Sequence, residues 1–172
     1  MIGARSPPRR VSAYALVLTS LMQPFSRGTV RLASASPDAA PVVAPGYLTD
    51  PRDLDAIVRG LQIALNIPRA TALKPWLARE IAPGPDVRDD AALRAYATAS
   101  VLSCNHPVGT CRIGTDDLAV VDPELRVHGV SGLRVADASV MPSIVSANTN
   151  ATVYAIAERA AELIRLAHEH GR

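Results

Sequence analysis

The feature that most constrains this chain is an apolar stripe near its C-terminus. Val153, Ile156, Ala157, Ala160, Leu163, Ile164 and Ala167 recur at helical spacing, while Glu158, Arg159, Glu162 and Arg165 fall on the other side. Residues three and four apart share one face of an α-helix, so the segment predicts a long helix that buries that face. Residues 168–172 are expected to fray. Such a helix has to be laid on something, and the remaining chain must supply it. At 172 residues, 48% hydrophobic and 20% charged, the chain is large enough for one domain, or a large part of one, with a real core.

Upstream of the stripe the texture alternates between helical and extended. Asp50-Pro51 opens a helix: Asp50 can cap it, Pro51 fits the first turn where no amide donor is needed, and Asp53 favours the positive end of the dipole. Leu54, Ile57, Val58, Leu61 and Leu65 form its apolar stripe, and Asn66 and Pro68 end it. A second, weaker helix is expected over residues 69–81 despite Pro75, and a third starts at Asp89 or Asp90 with Leu93, Tyr96 and Ala97 on one side. Gly28 to Leu32 alternates like a short strand, whereas Ser34 to Pro45, rich in Pro, Ala and Ser, reads as an irregular connection. From Asn105 to Asp137 glycines punctuate β-branched runs. Val120-Val121, Arg126 to Val130, and Leu133 to Ala136 after the Ser131-Gly132 turn are therefore expected as strands joined by tight turns.

Charge and cysteine usage exclude several functions. The net charge is +2, Lys74 is the single lysine, and no dense basic run offers a nucleic-acid patch. Cys104 and Cys111 are close enough for a disulfide on spacing alone, but a pair of reduced thiols is the expected state. His106, between them, lacks the further ligands a zinc site needs, so no metal is expected. Arg9 and Arg10 followed by Val11 to Met22 imitate a signal peptide. Tyr14, Thr19 and Ser20 interrupt that run, no small-x-small cleavage site follows, and it is too short for a transmembrane segment. It suits a buried strand equally well, and the cytoplasm is the default location.

Three clusters could carry chemistry. In Asn105-His106-Pro107-Val108-Gly109-Thr110-Cys111-Arg112-Ile113-Gly114, a histidine is followed by a residue with fixed φ and then by glycines, which is a way to fix an imidazole. Taken alone, a loop histidine is more often a surface or hydrogen-bonding group. Leu133 to Pro142 contains an apolar strand ending in Asp137, Ala138 and Ser139, where α/β folds commonly hold ligands; from the residues alone, an ordinary strand end with a turn is the better reading. Ser146 to Thr152 places Asn148, Thr149 and Asn150 before the last helix, more polar groups than one cap requires.

Together the clusters form one pattern. HPVGTCRIG, VVDPELRVHGVSGLRVADASVMP and NTNATVYAIAERAAELI, in this order and spacing from His106 to Ile164, resemble the C-terminal signature of the glucose-methanol-choline (GMC) oxidoreductases. The similarity continues more loosely upstream through Pro24 to Val30, Tyr47 to Leu54 and Glu80 to Gly84; Ile113 stands where the family often has Met, an apolar exchange.

The resemblance implies an α+β fold, a fragment of an α/β flavoenzyme. Residues 1–118 would belong to the substrate-binding domain, and residues 119–172 would return to the FAD-binding domain with a strand at Leu133 to Ala136 and the last helix. It also places the run before Pro24 where the family has a substrate-domain strand. It implies FAD as cofactor and a small-molecule alcohol as substrate, with hydride passing from the alcohol carbon to flavin N5. By position His106 matches the family's active-site histidine, which takes the hydroxyl proton. Asn148 matches the second active-site position, and its identity resembles the choline and alcohol dehydrogenase branch. Asp137, Ala138, Thr149 and Asn150 match flavin-lining positions.

None of the ten glycines forms the GxGxxG turn that holds the FAD pyrophosphate in this family. The expectation is therefore a C-terminal region, inactive alone, whose missing partner is the N-terminal FAD-binding region or its gene product. The alternatives are a non-catalytic truncated remnant, one piece of a split enzyme and, least of all, a small secreted domain.

Overall fold

The computed structural model describes residues 15–169. It is an α+β arrangement of three helices and one small sheet, built around two apolar clusters. Strands β1 (Thr29–Arg31) and β2 (Val42–Ala44) pair antiparallel, with Thr29 opposite Ala44 and Arg31 opposite Val42. β2 lies inside the stretch expected to be irregular: the β-branched pair Val42-Val43 extends between Pro41 and Pro45, which stay outside the ladder. Gly28 allows the hairpin to close, because a Cβ there would lie 2.4 Å from the carbonyl oxygen of Ala44.

Helix α1 (Pro51–Asn66) starts as its sequence dictates: the Asp50 carboxylate accepts the Arg52 amide at 3.0 Å. Its stripe packs on α2 (Asp90–Ser100), where Val58, Leu93 and Ala97 are buried and Leu54, Ile57, Leu61, Leu65 and Val87 close around them. Asp89 caps α2 by accepting the Ala92 amide at 2.7 Å, and Arg94 joins the two helices through Asp55 at 2.7 Å while also pairing with Asp90.

Asp53 does more than complement the helix dipole. It is 1% exposed and accepts the backbone amides of Phe25 and Ser26, both at 2.8 Å, which ties the segment before β1 to the first turn of α1. Burial alone pushes its pKa up, but hydrogen bonds from Ser26 and from the Phe25 and Ser26 amides outweigh that and hold it below the usual carboxylate value.

The second cluster joins Val121, Leu125 and Val140 to Ala160 of α3 (Asn150–Glu169), with Ile113, Val127, Ile156 and Leu163 packed around them. The buried stripe of α3 is narrower than its sequence predicts, for Ala157 and Ile164 are exposed. The helix also runs through His168 and Glu169, where fraying was expected.

Three further expectations are corrected. Residues 69–81 form no α-helix; short 3-10 turns at Ile67–Arg69 and Lys74–Trp76 stand there, because Pro68 and Pro75 each remove an amide that an α-helix would use. The strands expected between Asn105 and Asp137, including the one at Leu133 to Ala136, reduce to isolated bridges: Ile113 with Val121, Val121 with Val127, and Arg126 with Arg134. Gly129 and Gly132, each at φ +75°, turn the chain before any ladder can extend. Finally, residues 15–22 are not a strand; that segment crosses α1 where a Cβ on Gly60 would lie 2.2 Å from the Thr19 methyl. Val11 to Tyr14 of the same run lie outside the described residues, as do residues 170–172. Among the described residues no helix is long and apolar enough to cross a membrane.

Candidate active site

The three sequence clusters meet at the start of α3. The Cys111 amide donates to the Ser139 carbonyl at 3.0 Å and the Ile113 amide to the Val140 carbonyl at 2.9 Å, so the histidine loop lies along the turn that follows Asp137. Nδ1 of His106 lies 3.1 Å from Oγ1 of Thr149, which joins the same loop to the residue preceding α3. Segments about forty residues apart in sequence thereby form one surface.

Local backbone chemistry explains how the imidazole is presented. Asn105 adopts φ +60°, a left-handed conformation that asparagine tolerates better than most residues, and its amide donates to Ser103 Oγ at 2.9 Å. Pro107 fixes φ on the other side of the histidine. Gly109, at φ +89°, reverses the chain so that Cys111 and Ile113 reach their partners. His106 ends half-buried, and Thr149, at 7% exposure, is among the few buried polar residues.

The other predicted residues lie in the segments that these bonds join. Asn148 is exposed at the lip of α3, next to Thr149 in the chain, and Asn150 is the first residue of the helix. The Asp137 carboxylate turns to its own backbone and accepts the Ser139 amide at 2.8 Å, capping the short 3-10 turn Ala138–Val140. Ala138 is half-buried. Val140 and Met141 sink into the interior beneath that turn.

One feature was not legible in advance: the Thr149 hydroxyl engages His106, a contact that no local spacing announces. The cysteines are free thiols, the state expected from the sequence: Cys104 is exposed, with Sγ 3.3 Å from Ser20 Oγ, and Cys111 is half-buried. A concavity of about 860 Å³ lies between the 122–134 segment and Leu163, Leu166 and Ala167 of α3, and neither His106 nor Asn148 lines it.

This arrangement has relatives. Residues 24–157 match the C-terminal region of the GMC oxidoreductase family. The chain is 44% identical over 151 residues to an alcohol dehydrogenase [acceptor] of Pseudomonas putida, covering 88% of this chain and 27% of that protein. It is 47% identical over 146 residues to a choline oxidase of Arthrobacter globiformis, covering 83% and 27%. Among solved structures, a formate oxidase of Aspergillus oryzae, studied for modification of its FAD, superposes with a TM-score of 0.81 at 31% identity, covering 87% of this chain and 26% of that one. The chain therefore belongs to the GMC oxidoreductase family, as part of its C-terminal region, and spans about a quarter of the length of the relatives it matches.

Proposed function

We propose that this chain is the C-terminal region of an FAD-dependent oxidoreductase acting on CH–OH groups, with His106 and Asn148 at the alcohol. The observation that carries the reading is the contact between His106 and Thr149, which seats the imidazole at the start of α3 beside Asn148.

Neutral imidazole accepts a proton near neutral pH, so His106 takes the hydroxyl proton of the alcohol. The Asn148 amide donates a hydrogen bond to the oxygen as negative charge develops there, and it does not compete for the proton.

The residues present fit a flavin. The amides of Asn150, Ala151 and Thr152 precede any carbonyl that an α-helix could offer them, and a helix start favours negative charge. These donors, with the Thr149 main chain, would hold the negative charge that a flavin gains on reduction, while Ala138 is small enough for close approach and Asp137 holds its turn. Flavin supplies the hydride acceptor for the alcohol carbon. Residues 1–118 would serve the substrate side and residues 119–172 the flavin side; the α1–α2 cluster lies within the first stretch, and Ile113 of that stretch packs into the α3 cluster of the second. The pyrophosphate-binding turn comes from polypeptide beyond this chain, so the chain alone does not turn over.

The test is the His106→Ala variant of the complete enzyme. Turnover of an alcohol should fall by about 10²–10⁴-fold, the usual contribution of a general base, while flavin stays bound. Near-normal turnover would remove His106 from this role.

A further inference from the structure

We infer that Thr149 is a positioning residue for His106: its hydroxyl accepts the Nδ1 proton of the imidazole and thereby leaves Nε2 unprotonated, as the base. This rests on the reading above and assigns the Thr149 side chain to the histidine, so that any contact with flavin comes from its main chain.

The geometry has three parts. Oγ1 and Nδ1 are 3.1 Å apart, within hydrogen-bonding range, and the hydroxyl is buried, where bulk water competes poorly for the ring nitrogen. The hydroxyl is also held in place. The Thr149 carbonyl accepts the Val153 amide at 2.9 Å, fixing its main chain to the first turn of α3, and a β-branched side chain has little χ1 freedom. On the other side, Asn105 in its left-handed conformation and Pro107 restrict the loop that carries the ring. Both partners are anchored by backbone.

The direction of the bond decides the chemistry. A hydroxyl can donate or accept, and a neutral imidazole carries one N–H. If Thr149 donated to Nδ1, Nε2 would carry the proton and could take none from the alcohol. If Thr149 accepts from Nδ1–H, Nε2 presents its lone pair. When the alcohol O–H breaks and Nε2–H forms, the ring becomes cationic, and the bond from Nδ1–H to the hydroxyl strengthens. Thr149 thus holds the reactive tautomer before transfer and stabilises the imidazolium after it.

The test reads the tautomer directly. With ¹⁵N-labelled histidine, long-range proton–nitrogen spectra at a pH where the ring is neutral distinguish Nδ1–H from Nε2–H, and Thr149→Val and Thr149→Ser are recorded beside the parent. His106 is assigned by its loss in His106→Ala. The expected result is Nδ1–H in the parent and in Thr149→Ser, with a shift toward Nε2–H in Thr149→Val. An Nε2–H ring in the parent overturns the inference even if Thr149→Val fails to fold, and so does an unchanged tautomer in a folded Thr149→Val.

In the complete enzyme, Thr149→Val should lower kcat by about 10–100-fold, below or at the edge of the loss of the base itself, with little change in KM and recovery in Thr149→Ser. Equal kcat in the parent and Thr149→Val would also overturn it. The two readings fail separately. An Nδ1–H ring in an enzyme whose His106→Ala variant still turns over defeats the catalytic assignment alone. An Nε2–H ring in an enzyme that needs His106 defeats the role of Thr149 alone.

Discussion

Asp53 shows how a single buried charge fixes the start of the fold. Its two oxygens take the Phe25 and Ser26 amides, and the Arg52 guanidinium lies 3.6 Å over the Phe25 ring on the same turn. In Asp53→Asn one backbone donor loses its acceptor, which should cost about 1–3 kcal/mol and lower the urea midpoint of unfolding. The pH dependence follows from the lowered pKa. A carboxylate whose folded pKa lies below its unfolded value contributes fully above the unfolded value, about 4, and loses that contribution as pH falls through the folded one. Asp53→Asn should therefore show a shallower loss of stability on acidification than the parent. An equal acid slope would place the sensitivity in other carboxylates, such as Asp50 and Asp116, whose pKa values lie near 2 beside Arg52 and Arg112. The dipole argument found Asp53 at the right end of α1 but missed its partners, because nothing local connects residues 25 and 26 with residue 53. The same limit applies at the site. The motif pointed to His106 and Thr149 separately, and only the fold joins them.

Elements were legible where caps and stripes agree. Asp50-Pro51 and Asp89-Asp90 set the starts of α1 and α2, and the spacing of Leu54, Ile57, Val58 and Leu61 set the face that α1 buries. Reading failed where local signals compete. Apolar spacing over 69–81 resembles a helix until Pro68 and Pro75 are weighed as missing donors, and the β-branched runs after Val120 resemble strands until the glycine turns cut them into single bridges. β2 was hidden by the Pro, Ala and Ser around it. The hairpin depends on a close approach that makes a direct prediction: in Gly28→Ala the new methyl would collide with main-chain oxygens of Ala44 and Pro45, at 2.4 and 2.5 Å, which a side-chain rotation cannot relieve. Stability should fall by about 1–3 kcal/mol, read as a lower melting temperature; an unchanged melting temperature would mean that the hairpin opens at little cost.

At the scale of the whole molecule, two small cores lie on either side of a loop-rich middle, and the loops rather than the helices assemble the site. Hydrogen bonds from Cys111 and Ile113 to the turn after Asp137, together with the His106–Thr149 contact, draw the GMC signature into one place at the head of α3. Leu16, Leu18, Trp76, Leu102 and Tyr154 are broadly exposed, more large apolar surface than a self-contained domain usually leaves open. That surface is consistent with the chain spanning about a quarter of its relatives' length. The central claim concerns chemistry at His106, and rapid mixing tests it most directly. The complete enzyme and its His106→Ala variant would each be mixed with an alcohol in the absence of oxygen, while the flavin absorbance is followed. The account predicts bleaching in the parent and a rate slowed by about 10²–10⁴-fold in the variant. Bleaching at the same rate in both would contradict it.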